Sequence, residues 1–202
     1  MVMPAIRRHW TTDDVRALIN EESAWPRYEL IGGELLVTPA PATPHQLAVG
    51  EILIRLYAYV SAQALGVAFV SPADLELRPG TIAQPDVFVV PNGGVSPGEG
   101  VIQWRDVEKL LLAVEVISPS SVRTDRVEKR DYYLDSGVPD YLVIDVDARM
   151  FEHWSDTRDT PLALLDTWRW HPLGATEPLT IRLPEFFDTV AAKAGMLRRR
   201  VH

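Results

Sequence analysis

The chain has 202 residues, 47% of them hydrophobic, a formal net charge of -8 and no cysteine. That length suits one domain with a core of its own, and the missing cysteines exclude disulfides and thiolate metal sites and fit a reducing, cytoplasmic setting. The acidic balance argues against broad, non-specific affinity for nucleic acid. No apolar run is long enough to cross a bilayer, and the start, "MVMPAIRRHW", lacks the apolar stretch of a signal peptide.

In chain order, "TTDDVRALIN" offers Thr11 or Thr12 as an N-cap with Asp13 and Asp14 in the first turn, which predicts a short helix. "RYELIGGELLVTP" sets two apolar-rich arms around Gly32-Gly33, a hairpin signal. From Pro44 to Leu65, Leu47, Ile54 and Val60 recur among small residues and predict a long amphipathic helix. "VAFVSPADLELRP" and "PDVFVVP" read as strands, followed by the surface loop "GGVSPGEG". "LLLAVEVIS" is a strand ended by Pro119. Thr124, or one of Ser118, Ser120 and Ser121, caps a helix that runs to Gly137, a natural C′ position. "DYLVIDVDARMFEHWS" is a strand, a turn around Asp147 and a second strand. "PLALLDTWRW" and "LTIRLP" are further strands before a short C-terminal helix.

A buried strand, a helix and another apolar strand form a βαβ unit with parallel pairing. The expected fold class is therefore α/β (α+β), a mixed sheet in a single domain over 1–202. Its parts are an N-terminal helix and hairpin over 10–38, a core over about 43–155, and C-terminal strands and helix over 160–202.

Glu115 stands between Val114 and Val116 in the most apolar strand, and Asp86 opens the strand before it. Two such acids repel unless a cation bridges them. The pair predicts a divalent-metal site, and oxygen donors alone favour Mg2+ or Mn2+ over Zn2+. The following helix sets Asp125, Lys129, Tyr132 and Tyr133 on one stripe. Lys129 either reaches a metal-bound water or a phosphate, or pairs with Asp125 at the surface; spacing alone favours the surface pair. Tyr132 and Tyr133 read as packing residues with polar tips. His45 is a helix-terminal structural residue or a residue at the edge of the site. Asp145 and Asp147 suit a strand end and a turn, and His153 a surface or edge position. The serines after Ile117 read as caps, and Trp168 and Trp170 are not read as a base-stacking platform. Arg123, Arg126, Lys129 and Arg130 make a local basic cluster, and Arg198, Arg199 and Arg200 a solvated tail.

Four segments in order, "YELIGGELL", "QPDVFVV", "LAVEVISPSS" and "DRVEKRDYYLDSGVPDYLVID", resemble the Uma2 (DUF820) family, whose members have the restriction-endonuclease-like, PD-(D/E)XK fold; the likeness runs from about Tyr28 to Trp154. The resemblance implies that Asp86 and Glu115 bind metal, with the backbone carbonyl of Val116 as a further ligand. It also implies an upstream acid, best matched by Glu29, which is a further possible ligand. Glu34 is the alternative, although an exposed hairpin charge explains it better. The superfamily's lysine, two residues after the Glu, is Ile117 here. The Uma2 pattern carries a lysine on the following helix, which matches Lys129 and favours its catalytic reading. The implied activity is Mg2+-dependent hydrolysis of DNA phosphodiester bonds, with Mn2+ as an alternative ion. Homodimer formation through "RMFEHW" and "PLALLDTWRW" follows only by fold-level analogy. Two other readings remain: a catalytically inactive nuclease-fold module that binds nucleic acid or a protein partner, and a metal-dependent hydrolase of another phosphoester. The acid pair and Lys129 favour activity, whereas the acidic net charge favours a binding module or a narrow substrate.

Overall fold

The structure, a computed structural model, describes residues 9–19, 25–98, 100–117, 124–157 and 160–198. Ser118, Ser120, Ser121, Arg123, Arg199 and Arg200 lie outside the described residues, and with them the serine caps and the basic tail. Helix α1 (Thr12–Ile19) starts from a reciprocal cap. Thr11 Oγ1 accepts the Asp14 N–H at 3.2 Å, and Asp14 Oδ2 accepts the Thr11 N–H at 3.0 Å. Strands β1 (Arg27–Ile31) and β2 (Glu34–Thr38) form the expected antiparallel hairpin. Gly32 and Gly33 turn it with φ of 60° and 78°, angles that cost other residues strain.

Helix α2 (Thr43–Ala62) buries Ala48, Val49, Ile52, Leu56 and Val60 at three-to-four spacing. Ile54, expected on the inner face, is 62% exposed. The small residues that dilute this helix hid its true stripe.

Six strands form one mixed sheet in chain order: β3 (Gly66–Val70), β4 (Val87–Pro91), β5 (Leu112–Ile117), β6 (Asp140–Asp145), β7 (Met150–Ser155) and β8 (Leu162–Leu164). Only the β5–β6 pair is parallel, and it is joined by the crossover that parallel strands require: a π-helical turn over Thr124–Lys129 running into α3 (Arg130–Asp135). Three expectations are corrected. The strand predicted through "DLELRP" stops at Val70, and the chain beyond it is irregular, pinned by the bridges Leu75–Ala83 and Leu30–Ile82. "PLALLDTWRW" divides into β8 at the sheet edge and β9 (Thr167–Trp170), which pairs instead with β10 (Leu179–Arg182). Helix α4 (Leu183–Arg198) has 16 residues rather than a short run.

Side chains leave β5 alternately to two cores. Leu112, Val114 and Val116 pack with α2, α4 and the β9–β10 pair, where Trp168 and Trp170 are fully buried. Ala113 and Ile117 pack towards α3, with Tyr132, Tyr133 and Tyr141. The period of two therefore sends Glu115 to the α3 face. No helix among the described residues is long and apolar enough to cross a membrane.

Candidate active site

The pairing of Val87 with Val114 brings Asp86, one step further along, beside Glu115 at the same end of the sheet. Asp86 Oδ2 accepts the Val116 N–H at 3.0 Å, which ties the two strand ends together. Its other oxygen accepts from Arg27 Nη1 at 3.3 Å, and His45 Nε2 lies 3.1 Å from Oδ2. Glu29 enters from the hairpin: Oε1 accepts the Gln84 N–H at 2.7 Å and Oε2 faces Lys129 Nζ at 2.8 Å. Lys129 Nζ also donates to Glu115 Oε1 at 3.0 Å and sits 3.6 Å from Asp125 Oδ1. The Tyr133 hydroxyl donates to Glu115 Oε1 at 3.4 Å, and that of Tyr141 to the Asp125 carbonyl at 2.8 Å. The pairing of Lys129 with Asp125 thus exists, but it is buried, and Glu29 and Glu115 are nearer partners.

Burial alone would lower the pKa of the Lys129 ammonium, but Glu115, Glu29 and Asp125 outweigh it and hold that pKa well above its ordinary value. Lys129 therefore stays charged. Burial pushes the Glu115 carboxyl well above its usual range; Lys129 opposes this, while Asp86, Asp125 and Glu29 push it further up. Burial also works to raise Asp86, yet His45, the Val116 N–H and Lys129 together keep it below its ordinary value. These groups line a cavity of about 200 Å³ together with Trp25, Thr38 and the 39–42 segment.

The donor chemistry of this cavity suits a hard divalent cation. Glu29, Asp86, Glu115 and Asp125 line it with Lys129, Arg27 and His45, so carboxyl oxygens, which a hard cation prefers, are the most numerous side-chain donors there. Among the described residues no three His, Asp or Glu side chains converge as a ready-made cage. Mg2+ rarely needs one, since it takes one or two carboxylates and completes its shell with water and phosphate oxygens.

The sequence reading missed Arg27 and Gln84 in the cavity. Arg27 lies two residues before Glu29 on β1, so alternation was the available signal. His45 stands at the edge of the site as well as at a helix start. Several other residues lie elsewhere. Glu34 is exposed on the hairpin. Asp145 Oδ1 accepts the Ala148 N–H at 2.8 Å, in the expected turn. His153 is half-buried and not at the sheet edge: β7 is paired on both sides, and His153 Nε2 lies 2.7 Å from Asp140 Oδ1. Of the basic cluster, the described Arg126 is paired with Glu152 and Asp145, and Arg130 with Asp131.

No curated protein sequence matches the chain. Among solved structures it is similar to a "putative nuclease belonging to DUF820" from Anabaena variabilis, with 22% identity and a TM-score of 0.71 over 90% of this chain and 99% of that one. At that identity the likeness shows a shared fold, here the mixed sheet flanked by helices of restriction-endonuclease-like proteins. Residues 12–187 match the Uma2 family model, described as "Putative restriction endonuclease". That match begins with α1 and ends inside α4, taking in the hairpin, the whole sheet and every residue of the cavity, and so the chain belongs to the Uma2 family.

Proposed function

We propose that this protein is a Mg2+-dependent endonuclease that hydrolyses DNA phosphodiester bonds, with Mn2+ as an alternative ion. The observation that carries the reading is a charged lysine held among buried carboxylates where two core strands end together. Asp86 and Glu115, with the Val116 carbonyl, are the groups to hold the ion. A bound Mg2+ supplies a water of lowered pKa and a sink for charge on the phosphate oxygens. Lys129, kept cationic by its neighbours, orients the attacking water and offsets charge that develops on the phosphoryl oxygens; it does not serve as a general base. The water oxygen bonds to phosphorus as the bond to the leaving sugar oxygen breaks. One water proton passes to solvent, and the leaving oxygen takes one from it. Glu29 has both oxygens engaged, by Gln84 and Lys129, and acts in this reading as a positioning residue for the lysine.

A cytoplasmic homodimer belongs to the same proposal. Of the two sheet edges, β8 is the one in the segment this reading uses; it carries exposed Leu162 and is followed by exposed Leu165. Sedimentation as a monomer at micromolar concentration would remove that part. A catalytically silent nuclease-fold module draws on one observation, that Lys129 already satisfies Glu29 and Glu115 within a closed ion cluster. Calorimetric titration of Mg2+ and Mn2+, with plasmid nicking on the same samples, separates the two readings. Ion binding and nicking should both vanish in Asp86→Ala and Glu115→Ala, while Lys129→Ala keeps ion binding and loses nicking. A wild-type protein with no binding heat and no nicking leaves the silent module as the account.

A further inference from the structure

Two basic side chains converge on Asp86, and neither is accounted for by the chemistry above. Arg27 and His45 are only 12% and 13% exposed, and both touch the carboxylate. A guanidinium carries five N–H donors in a planar fork. Among the described residues, the Arg27 fork makes one hydrogen bond, to Asp86 Oδ1, and otherwise lies over the Trp25 ring at 4.6 Å from its centroid. His45 Nδ1 is also buried without a hydrogen-bond partner among the described residues, and the ring tautomer decides whether it donates or accepts. Spare guanidinium donors facing an open cavity fit a further acceptor, and a phosphate is the acceptor that best matches such a fork.

We propose that Arg27 and His45 form a phosphate-binding pair that Asp86 holds in reserve. The inference rests on the nuclease reading and adds an order of events to it. In the metal-free protein both groups face Asp86, each through one nitrogen. Once Asp86 turns to a divalent cation, the guanidinium is left beside a like charge and swings to the phosphate of the strand lying over the cavity. That phosphate then separates the two cations and is bound by both. Metal and DNA therefore strengthen each other's binding, and by linkage the enhancement is equal in both directions.

The test is one of opposite signs. Mn2+ alone is titrated calorimetrically into wild type, Arg27→Gln and Arg27→Lys. A fluorescein-labelled DNA duplex is titrated by anisotropy in Ca2+, and unfolding midpoints verify that each variant is folded. Arg27→Gln removes a cation that competes for Asp86, so Mn2+ should bind about three- to tenfold more tightly. The same change removes a charged hydrogen bond to phosphate, so DNA should bind roughly ten- to a hundredfold more weakly. Arg27→Lys keeps the charge without the fork and should fall between on DNA, with Mn2+ affinity near wild type. His45→Gln should move both affinities in the same directions as Arg27→Gln. A merely structural role would weaken both ligands or neither. Unchanged DNA affinity, or weaker Mn2+ binding, in Arg27→Gln overturns the pairing while leaving the nuclease reading intact if wild type still nicks. A wild type that neither binds nor nicks DNA overturns both.

Discussion

Glu115 is a buried carboxyl in the most apolar strand, with three other carboxyls close by. Its folded pKa is raised by burial and by three other carboxyls, so the ionised form opposes folding, increasingly as pH climbs above the ordinary carboxylate value. Glu115→Gln should therefore raise the unfolding midpoint of the metal-free protein near pH 7, and a gain of even about 1 kcal/mol would appear as roughly 2–4 °C. The same substitution should abolish ion binding. A midpoint that falls instead would mean that the ionised carboxylate is well compensated by Lys129 alone. Such a conflict is what made Glu115 and Asp86 legible, because a charge inside an apolar strand has few ordinary explanations. Arg27 gave no such signal. A basic residue near a hairpin start is commonplace, and its partner Asp86 is 59 residues away in the chain.

Helix α2 and strand β3 answer differently to the same small change. Nothing lies within 4 Å of a Cβ built on Gly50, in the middle of α2. Gly50→Ala should stabilise the protein by about 0.5–1 kcal/mol through helix propensity and a less free unfolded chain. A Cβ on Gly66, at the start of β3, would meet the Val90 carbonyl oxygen at 2.0 Å and Pro91 Cα at 2.8 Å. Gly66→Ala should cost about 3 kcal/mol or more by urea denaturation, since backbone must move on both strands. Helices α2 and α4 are joined through Glu51, which accepts from Arg55 at 2.7 Å and from Lys193 at 2.7 Å. Burial works to raise Glu51, but Lys193 and Arg55 bring its pKa below the ordinary value. Its contribution is thus complete above the unfolded carboxylate pKa and is lost as pH falls through the lower folded one. Glu51→Gln should lower the midpoint at pH 7, and the deficit should shrink steadily below about pH 4; a deficit independent of pH would assign it to packing. At this scale the hairpin, β4 to β7 and the crossover were readable from periodicity and turn residues. The path after Val70 was not. Leu75 and Leu77 alternate like a strand, yet Leu75 is buried by irregular chain bridged to Ala83 rather than by a ladder.

The charge of the whole molecule bears on how it meets a polyanion. Its net charge is -8, and Arg16, Arg55, Arg78, Arg126, Arg130, Arg149 and Arg182 are all paired with carboxylates. Among the described residues Arg105, Lys109 and Arg169 are exposed cations outside these pairs, and they are scattered along the chain, so in the proposed reading the contacts to nucleic acid centre on the cations of the cavity. With two or three phosphates neutralised, log Kd for a DNA duplex should rise with log salt with a slope of about 2–3. A slope near 6 would reveal a basic track outside the cavity. The mixed α/β architecture was legible from element order, because a parallel pair demands a crossover. The separation of β9–β10 from the main sheet was not, since it depends on where a chain turns at Leu165 and Asp166 rather than on the character of either strand.

The Val116 N–H reaches into the cavity and is held by Asp86 rather than lying idle at the strand end. In spectroscopic terms, this single amide is a resonance fixed to the carboxylate on which the proposed chemistry turns. Addition of Mg2+ should shift the Val116 amide cross-peak strongly, and Mn2+ should broaden it first among the β5 amides. With Asp86→Asn the response should disappear. An amide indifferent to both ions would place them elsewhere. A protein that offers so few external handles thus carries its own indicator, readable before any substrate is known.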